Sequence, residues 1–344
     1  MNAALPVVVL LLVTTLRVAA GPVSLTEPQR EKLAKLVAAD PEAGKRFAEI
    51  RRTADASLTA EPNPIHFIRS EGKLKGDPEK IATGRSMADM NKLQALGFAY
   101  AVTRDARYAD AARRFLVAWA GVNVSRGDPI DDTGLEPLIV CYDLVRATCT
   151  GSERNRIDGY LRQVADAEIM NFHPNWGTAK NNWNSHRIKI IGMVGFAIDD
   201  RRLIDHTVAA FKAQIDQNLE PDGSSLDFHE RDALHYHCYD LEPLLTLAIV
   251  TKQAGVDLYS HHSPRGASLA KSVQFLVPYC DGSRTHAEFV HSKVAFDRKR
   301  AESGDARYKA GTPFDPKAGR GTLELAAYFD PSLNPLVIQL SGGG

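Results

Sequence analysis

Residues 184–200 read NSHRIKIIGMVGFAIDD, and the apolar residues of this stretch indicate the fold class. Ile188, Ile191, Val194 and Ile198 recur mostly at three-residue steps. This spacing places them on one face of a helix, so the stretch predicts a helix over residues 182–198.

The same helical pattern recurs along most of the chain. Residues 26–40 begin with a cap candidate, Thr26, and carry Pro28 in the first helical turn. Short connections rich in Gly, Pro and Asp separate the helical stretches, and no sustained period-two pattern of strand type is present. The pattern therefore predicts an all-α fold, an incomplete (α/α) toroid or barrel of successive helical hairpins with a groove at one end. The other stretches that predict helices are residues 90–105, 106–121, 134–148, 152–172, 202–219, 239–255 and 266–279.

Composition and charge limit the class of protein. Of the 344 residues, 44% are hydrophobic and 24% are charged, which is typical of a globular chain. Lys plus Arg equals Asp plus Glu, at 42 each, so we expect no general affinity for nucleic acid or anionic membranes. We expect residues 21–344 to form a single domain.

The first 20 residues resemble a secretory signal peptide. An apolar run over residues 5–16 is followed by small residues before Gly21. The run is too short for a helix that spans the ~30 Å bilayer core, although an uncleaved anchor remains an alternative. We expect cleavage after Ala20, a periplasmic or secreted location and no membrane attachment afterwards.

Four cysteines occur after this segment, at scattered positions that match no CxxC metal knuckle. In an oxidising compartment they allow up to two disulfides, and the alternative is that they are small buried residues. They are Cys141, Cys149, Cys238 and Cys280.

Several polar residues gather where the helix over residues 182–198 begins. Asn182 and His186 are four residues apart and therefore lie on one helical face, beside Asn181 and Trp183. Asn amides donate hydrogen bonds without carrying charge, so they suit a carboxylate whose charge must be shared. The alternative is that Asn181 or Asn182 only caps the helix.

A second polar set lies within DGSSLDFHERDALHYHCYDLEPLL, residues 222–245. On a continuous helix, Arg231, His235 and Tyr239 would form a polar stripe along the edge of an apolar face. An arginine near a tyrosine stabilises phenolate and lowers the tyrosine pKa from its usual value of about 10. The alternative is a surface arginine and two core tyrosines. The neighbouring candidates are His229, Tyr236 and His237.

Together these residue types suit β-elimination on a uronic acid sugar. Neutralising the carboxylate favours the enolate-like intermediate that forms when the C5 proton leaves. One group removes that proton and another protonates the departing O4, roles open to Tyr and His, while Asn, His and Arg supply neutralisation. The chemistry needs no metal and no cofactor.

At these residues the sequence resembles the alginate lyase family of polysaccharide lyases, which fold as helical toroids. The resemblance covers residues 58–296, and residues 222–245 are its most specific part. It implies that Asn182 neutralises the substrate carboxylate and that Tyr239 is the catalytic tyrosine.

Two positions depart from the family pattern. Trp183 stands where the family has histidine, and Asp232 stands where it has arginine, with Arg231 one residue away. These departures suggest a divergent subgroup, in which His186, His235 or His237 replaces the family histidine if any residue does. They leave the substrate open between mannuronate-rich alginate and another β-1,4-linked polyuronate such as glucuronan.

Further residues suit a groove for an anionic polysaccharide. Trp176 and Trp183 are candidates for stacking on sugar rings, or alternatively for the core. Arg284, His286 and His291 lie in a loop-like stretch that would supply cations, whereas Lys189 and Lys293 are expected on the solvated surface. We expect the protein to be a monomer.

Two other functions compete with a lyase. A metal-dependent hydrolase would use the histidines of residues 229–237, although HERDALHYH lacks the HExxH spacing that places two histidines on one helical face. A non-catalytic polysaccharide-binding protein would need the groove and the tryptophans but neither Arg231 nor Tyr239.

Overall fold

The computed structural model describes residues 22–342, and its regular secondary structure is almost entirely helical. The first half of this range contains seven α-helices joined by short connections. They are α1 (Glu27–Ala39), α2 (Pro41–Ser57), α3 (Pro78–Thr103), α4 (Ala106–Val122), α5 (Pro129–Asp132), α6 (Glu136–Val145) and α7 (Gly151–Met170).

The second half continues in the same way and adds one small antiparallel sheet, β1 (Ala287–Glu288) and β2 (Thr312–Pro313). The expected all-α toroid is confirmed. The helices are α8 (Asn182–Ile198), α9 (Arg201–Asn218), α10 (Leu226–Arg231), α11 (Leu234–Gln253), α12 (Leu269–Cys280), α13 (Ala295–Glu302), α14 (Arg320–Ala326) and α15 (Asn334–Leu340).

Helix α8 is an inner helix, against which α5, α6, α7, α9 and α11 pack. Every residue of α8 except Trp183 is buried. A Cβ atom at Gly192 would lie 2.6 Å from Leu247 of α11, and one at Gly195 would lie 2.9 Å from Leu203 of α9. Glycine at these two positions therefore allows both neighbouring helices to approach the α8 backbone closely.

Two apolar clusters meet along α8. One gathers side chains of α3, α4, α6 and α7 with most of the apolar residues of α8. The other gathers side chains of α9, α11, α12 and α14 with Ile188. The polar start of α8 is thus held between two packed cores.

Local capping signals explain where several helices begin. Thr26 and Gln29 form a reciprocal capping box at α1, as the cap prediction requires. Asn181 is the N-cap of α8, and its side chain accepts a hydrogen bond from the backbone N–H of Trp183.

The expected continuous helix through Arg231, His235 and Tyr239 is wrong. Asp232 adopts a left-handed conformation, with φ of 50°, and separates α10 from α11. Arg231 consequently belongs to α10, whereas His235 and Tyr239 lie one turn apart on α11.

The four cysteines are free and buried, so the alternative of small buried residues describes them. The predicted signal peptide, residues 1–20, lies outside the described residues. None of the helices in residues 22–342 is both long and apolar enough to cross a membrane.

Candidate active site

A groove of about 980 Å³ opens beside the start of α8 and the start of α11. Its lining brings together most of the predicted site residues, although they come from separate segments. The predicted residues that line it are Trp176, Asn181, Asn182, Trp183, Arg231, His235, Tyr236 and Tyr239.

The α8 side of the groove is fixed by buried hydrogen bonds. Asn182 is 1% exposed, and its side-chain amide and backbone N–H both donate to the carboxylate of Asp227 on α10. A primary amide has two N–H groups, so this contact leaves one of them for another acceptor. Asp227 therefore orients Asn182 at the groove wall.

Two buried carboxyl groups lie beneath this contact. Burial raises the pKa of Asp227, and burial together with Asp227 raises the pKa of Asp240 well above its ordinary value. Asn218 donates to both of them, and Ser185 donates to Asp240 at 2.7 Å. The network joins α8, α9, α10 and α11 below the groove.

His186 lies behind Tyr239, with the two ring centroids 4.4 Å apart, and it does not line the groove. Its Nδ1 is 2.9 Å from the hydroxyl of Thr133, which accepts a hydrogen bond from Lys189 at 2.8 Å. Lys189 is also paired with Glu136, so the expectation that Lys189 is a solvated surface residue is wrong. Lys293, by contrast, is exposed as expected.

The contacts of Thr133 favour one tautomer of His186. Lys189 can only donate, so the Thr133 hydroxyl accepts from it and has its own proton left for Nδ1 of His186. When the hydroxyl donates to Nδ1, the proton of the neutral ring resides on Nε2. Burial lowers the pKa of His186 well below its ordinary value, which keeps the ring neutral.

The backbone of Tyr239 is compatible with that assignment. Pro243 lies four residues later inside α11 and has no N–H, so the Tyr239 carbonyl lacks its helical partner. Nε2 of His186 is buried and has no hydrogen-bond partner within residues 22–342, but the nearby Tyr239 backbone favours the protonated ring and opposes the lowering of its pKa by burial. An N–H on Nε2 facing this carbonyl would serve both groups.

Tyr239 is half-buried, and its hydroxyl has no hydrogen-bond partner within residues 22–342. Burial raises its pKa to about 12. The expected lowering of a tyrosine pKa by Arg231 is therefore wrong for Tyr239, because desolvation exceeds the effect of nearby positive charge.

Arg231 instead lies over the ring of Tyr236, with 3.8 Å between its guanidinium carbon and the ring centroid. It is paired with Asp297 of α13 at 2.5 Å. The Tyr236 hydroxyl accepts a hydrogen bond from Arg300 at 2.7 Å, and burial raises the pKa of Tyr236. Arg231 and Tyr236 are thus held by partners inside the protein.

His235 faces the groove from the first turn of α11. Burial lowers the pKa of its ring, and the positive charges of Arg307, Arg231 and Arg300 lower it further. The side chain has no hydrogen-bond partner in the described part of the chain. A neutral imidazole with free ring nitrogens can accept a proton.

The residues predicted from the sequence do not include a set near residue 300, which the structure places on the groove wall. Lys299, Arg300, Arg307 and Tyr308 line the wall beside Arg231, and Glu71 lines the groove as an acidic residue. The signal in the sequence was the basic run of residues 298–300, although nothing local places it beside α11. This segment makes the groove more basic than residues 181–239 alone predict.

The two tryptophans at the groove differ in exposure. Trp176 is 56% exposed and contacts His173, with ring centroids 4.1 Å apart. Trp183 is half-buried. Both rings line the groove, so the alternative that they belong to the core does not describe them.

Four predicted binding residues lie elsewhere and do not line the groove. His237 is fully buried and bonded to Ser225 and to the carbonyl of Ser272, because its helical position points into the core. His229 is bonded to Ser224 at 2.8 Å. These interactions leave His229 and His237 outside the groove.

The other two of these residues belong to the segment around β1. Arg284 lies over the Tyr279 ring at 4.9 Å, and His286 is 3.0 Å from the carbonyl of Asp232. His291, also expected to supply a cation, is exposed, and its backbone N–H donates to Asp232. This segment therefore holds the break between α10 and α11.

Within residues 22–342, no group of three or more His, Cys, Asp or Glu side chains is arranged to hold a metal ion. In particular, His235 faces the groove while His237 points into the core.

Comparison with known proteins gives one family. A sequence model described as alginate lyase matches residues 34–286. A protein of Stenotrophomonas maltophilia (strain K279a) named polysaccharide lyase is 30% identical over 222 residues. This match covers 59% of the present chain, and the chain spans only 63% of the length of that relative.

Solved structures show the same fold at low sequence identity. An alginate lyase from Bacteroides ovatus matches with a TM-score of 0.69 at 19% identity, over 94% of this chain and 96% of that one. Alginate lyase A1-III from Sphingomonas species A1 matches with a TM-score of 0.61 at 18% identity, over 77% of this chain and 80% of that one. A variant of A1-III complexed with a tetrasaccharide matches equally well, with a TM-score of 0.61 at 18% identity over 77% and 79%.

Proposed function

The chain belongs to the alginate lyase family, and we propose on that basis that it cleaves an anionic polysaccharide by β-elimination. The observation that carries the proposal is that His235 and Tyr239 line the same groove as the cations Arg231 and Arg300. The side chains of His235 and Tyr239 make no hydrogen bond within residues 22–342. The substrate is a β-1,4-linked polyuronate, either mannuronate-rich alginate or glucuronan.

The first requirement of this reaction is neutralisation of the C6 carboxylate, because it makes the C5 proton more acidic. In this proposal the free N–H of Asn182 donates to that carboxylate, and Arg231 and Arg300 supply positive charge. Asp227 and Asp297 hold Asn182 and Arg231 in place before the substrate arrives. Such preorganised donors act most strongly on charge that develops in the transition state.

The second requirement is a base and an acid. With a pKa of about 12, Tyr239 is neutral at pH 7, and deprotonating it there costs about 7 kcal/mol at 1.36 kcal/mol per pH unit. His235 is already neutral and needs no such step. We therefore assign His235 as the base that removes the C5 proton and Tyr239 as the acid that protonates the departing O4.

Sugar rings adjacent to the scissile bond would stack on Trp176 and Trp183, and Lys299 and Arg307 would contact further carboxylates of the polymer. The reaction uses no metal or cofactor in this scheme. We also propose that residues 21–344 act as one domain, as a monomer, after export to the periplasm or the medium.

The decisive experiment is an ultraviolet assay, because the unsaturated uronate product absorbs. Purified protein is incubated with polymannuronate, polyguluronate, glucuronan and a neutral β-1,4-glucan, with and without EDTA. Absorbance that rises with a polyuronate and persists in EDTA supports the lyase. Activity abolished by EDTA and restored by zinc would instead support the metal-dependent hydrolase, and binding without turnover would support the non-catalytic protein.

The pH dependence tests the assignment of base and acid. His235 is active only when neutral, so kcat should rise with pH through a value below 6.5 and then stay level until Tyr239 begins to ionise near pH 12. The His235→Gln variant should lose most of its turnover, and the rise of kcat with pH at the acidic end should disappear. The His229→Gln variant, changed outside the groove, should keep the wild-type dependence of kcat on pH. A rate that keeps rising up to pH 12 would show that Tyr239 phenolate is the base.

A further inference from the structure

A second, partly enclosed cavity of about 420 Å³ lies between α7, α8 and α9. It shares no lining residue with the groove, but Lys180 and Asn184 of its wall flank the groove residues 181–183. Much of its wall is apolar and includes Ile169, Phe172 and Ile191. Its volume is within the usual range of small-molecule sites, roughly 300–1,000 Å³.

The charged or titratable side chains that line this cavity are all basic. Its charged or titratable lining residues are Lys180, Arg187 and His206, and the described lining contains no Asp or Glu. The remaining polar groups are the side-chain amides of Asn184, Gln214 and Gln217. The cavity therefore differs from the groove, which Glu71 and Glu230 also line.

Arg187 is the charged group of this cavity that has unused hydrogen-bond donors. It is 5% exposed, and its Nε donates to Glu168 at 3.1 Å. Its two terminal nitrogens have no hydrogen-bond partner among residues 22–342. The Arg187 guanidinium carbon lies 5.7 Å from the centroid of the Phe172 ring, so the guanidinium group adjoins the apolar part of the wall.

We propose that this cavity binds a small carboxylate with an apolar body. The two terminal nitrogens of Arg187 would hold the carboxylate side by side, which is the geometry that a guanidinium group matches. The apolar body would pack against Phe172, Ile169 and Ile191. The site is independent of the proposed lyase reaction, because it uses no groove residue.

The probe for this site is octanoate, measured by isothermal titration calorimetry on the full mature chain. Octanoate should bind with one site per chain, and octanamide, which has the same body without charge, should bind roughly 10- to 100-fold more weakly. Equal affinities for the two compounds, or no binding of octanoate, would overturn the proposal. Because no turnover is measured, this result does not depend on the lyase assay.

Two matched variants locate the site. Ala210→Phe places a ring in the cavity while Arg187 and Glu168 keep their identity, and it should abolish octanoate binding, while Ala209→Phe on the exposed side of α9 should leave it unchanged. Arg187→Lys keeps the charge but loses the paired donors and should weaken binding about tenfold. Full binding by Ala210→Phe, with a native circular dichroism spectrum, would place octanoate elsewhere.

Discussion

The α8 side and the α11 side of the groove differ in how their polar groups are bonded. On the α8 side, Asn181 caps the helix, Asn182 is held by Asp227, and His186 is held by Thr133. On the α11 side, the side chains of His235 and Tyr239 have no hydrogen-bond partner in residues 22–342. The α8 side therefore sets positions, whereas the α11 side is free to exchange protons with a bound substrate.

The strongest test of this difference is Tyr239→Phe. Loss of the proposed acid should lower kcat by roughly 10² to 10⁴, with little change in stability, because the ring and its packing remain. Tyr236→Phe is the matched control, since that hydroxyl is already bonded to Arg300. Steady-state kinetics of both variants should show a loss at least ten times larger for Tyr239. Equal losses would mean that the unbonded hydroxyl has no special role.

Asn182→Ala tests whether the α8 side also contacts the substrate. Removing one donor to the developing charge should lower kcat by roughly 10² to 10³ and change KM much less. Asn184→Ala removes another buried amide of the same helix, bonded to Gln214 and outside the groove. It should spare turnover. If both variants lose turnover to the same extent, the effect of Asn182 is structural.

Thr133→Val tests whether His186, which lies behind Tyr239, positions that ring for catalysis. The change removes the hydroxyl that faces Nδ1, so we expect kcat to fall about tenfold at unchanged KM, the effect of one hydrogen bond. Nitrogen-15 NMR of labelled histidine should show the proton on Nε2 in the wild type and a loss of that preference in the variant. Thr133→Ser should restore both rate and tautomer. A wild type with its proton on Nδ1 would contradict the assignment.

The smallest effect is expected at Asn181. Asn181→Ala removes a helix cap and should cost roughly 0.5–2 kcal/mol in the free energy of unfolding while sparing turnover. Urea denaturation and the ultraviolet assay measure the two effects separately. If turnover falls by more than the loss of stability explains, Asn181 contacts the substrate as well as capping the helix.

Local sequence signals predicted most of the fold. Helix α8 followed from the spacing of its apolar residues, and the cap at Thr26 followed from residue type. The break at Asp232 could not be predicted, because neither Gly nor Pro marks it. Its backbone carbonyl and carboxylate are held by residues 286–291, more than 50 positions away.

The candidate site was predictable where its residues are close in sequence. Residues 181–183 line the groove as expected, and so do His235, Tyr236 and Tyr239, because each group lies on one short segment. Arg300 and the Glu136 partner of Lys189 were not predictable, since each meets its neighbours only through the packing of distant helices. The raised pKa of Tyr239 was not predictable either, because it is caused by burial among residues that are distant in sequence.

The four buried thiols have a practical consequence for chemical labelling. Burial raises the pKa of every one of them, to about 11 for Cys149 and about 12 for Cys280, so little thiolate forms near neutral pH. A maleimide or iodoacetamide should therefore modify the folded chain slowly and the unfolded chain quickly. Mass spectrometry of the labelled protein would then count unfolded molecules directly, and the positions of the thiols on α6, α11 and α12 would show which helices open first.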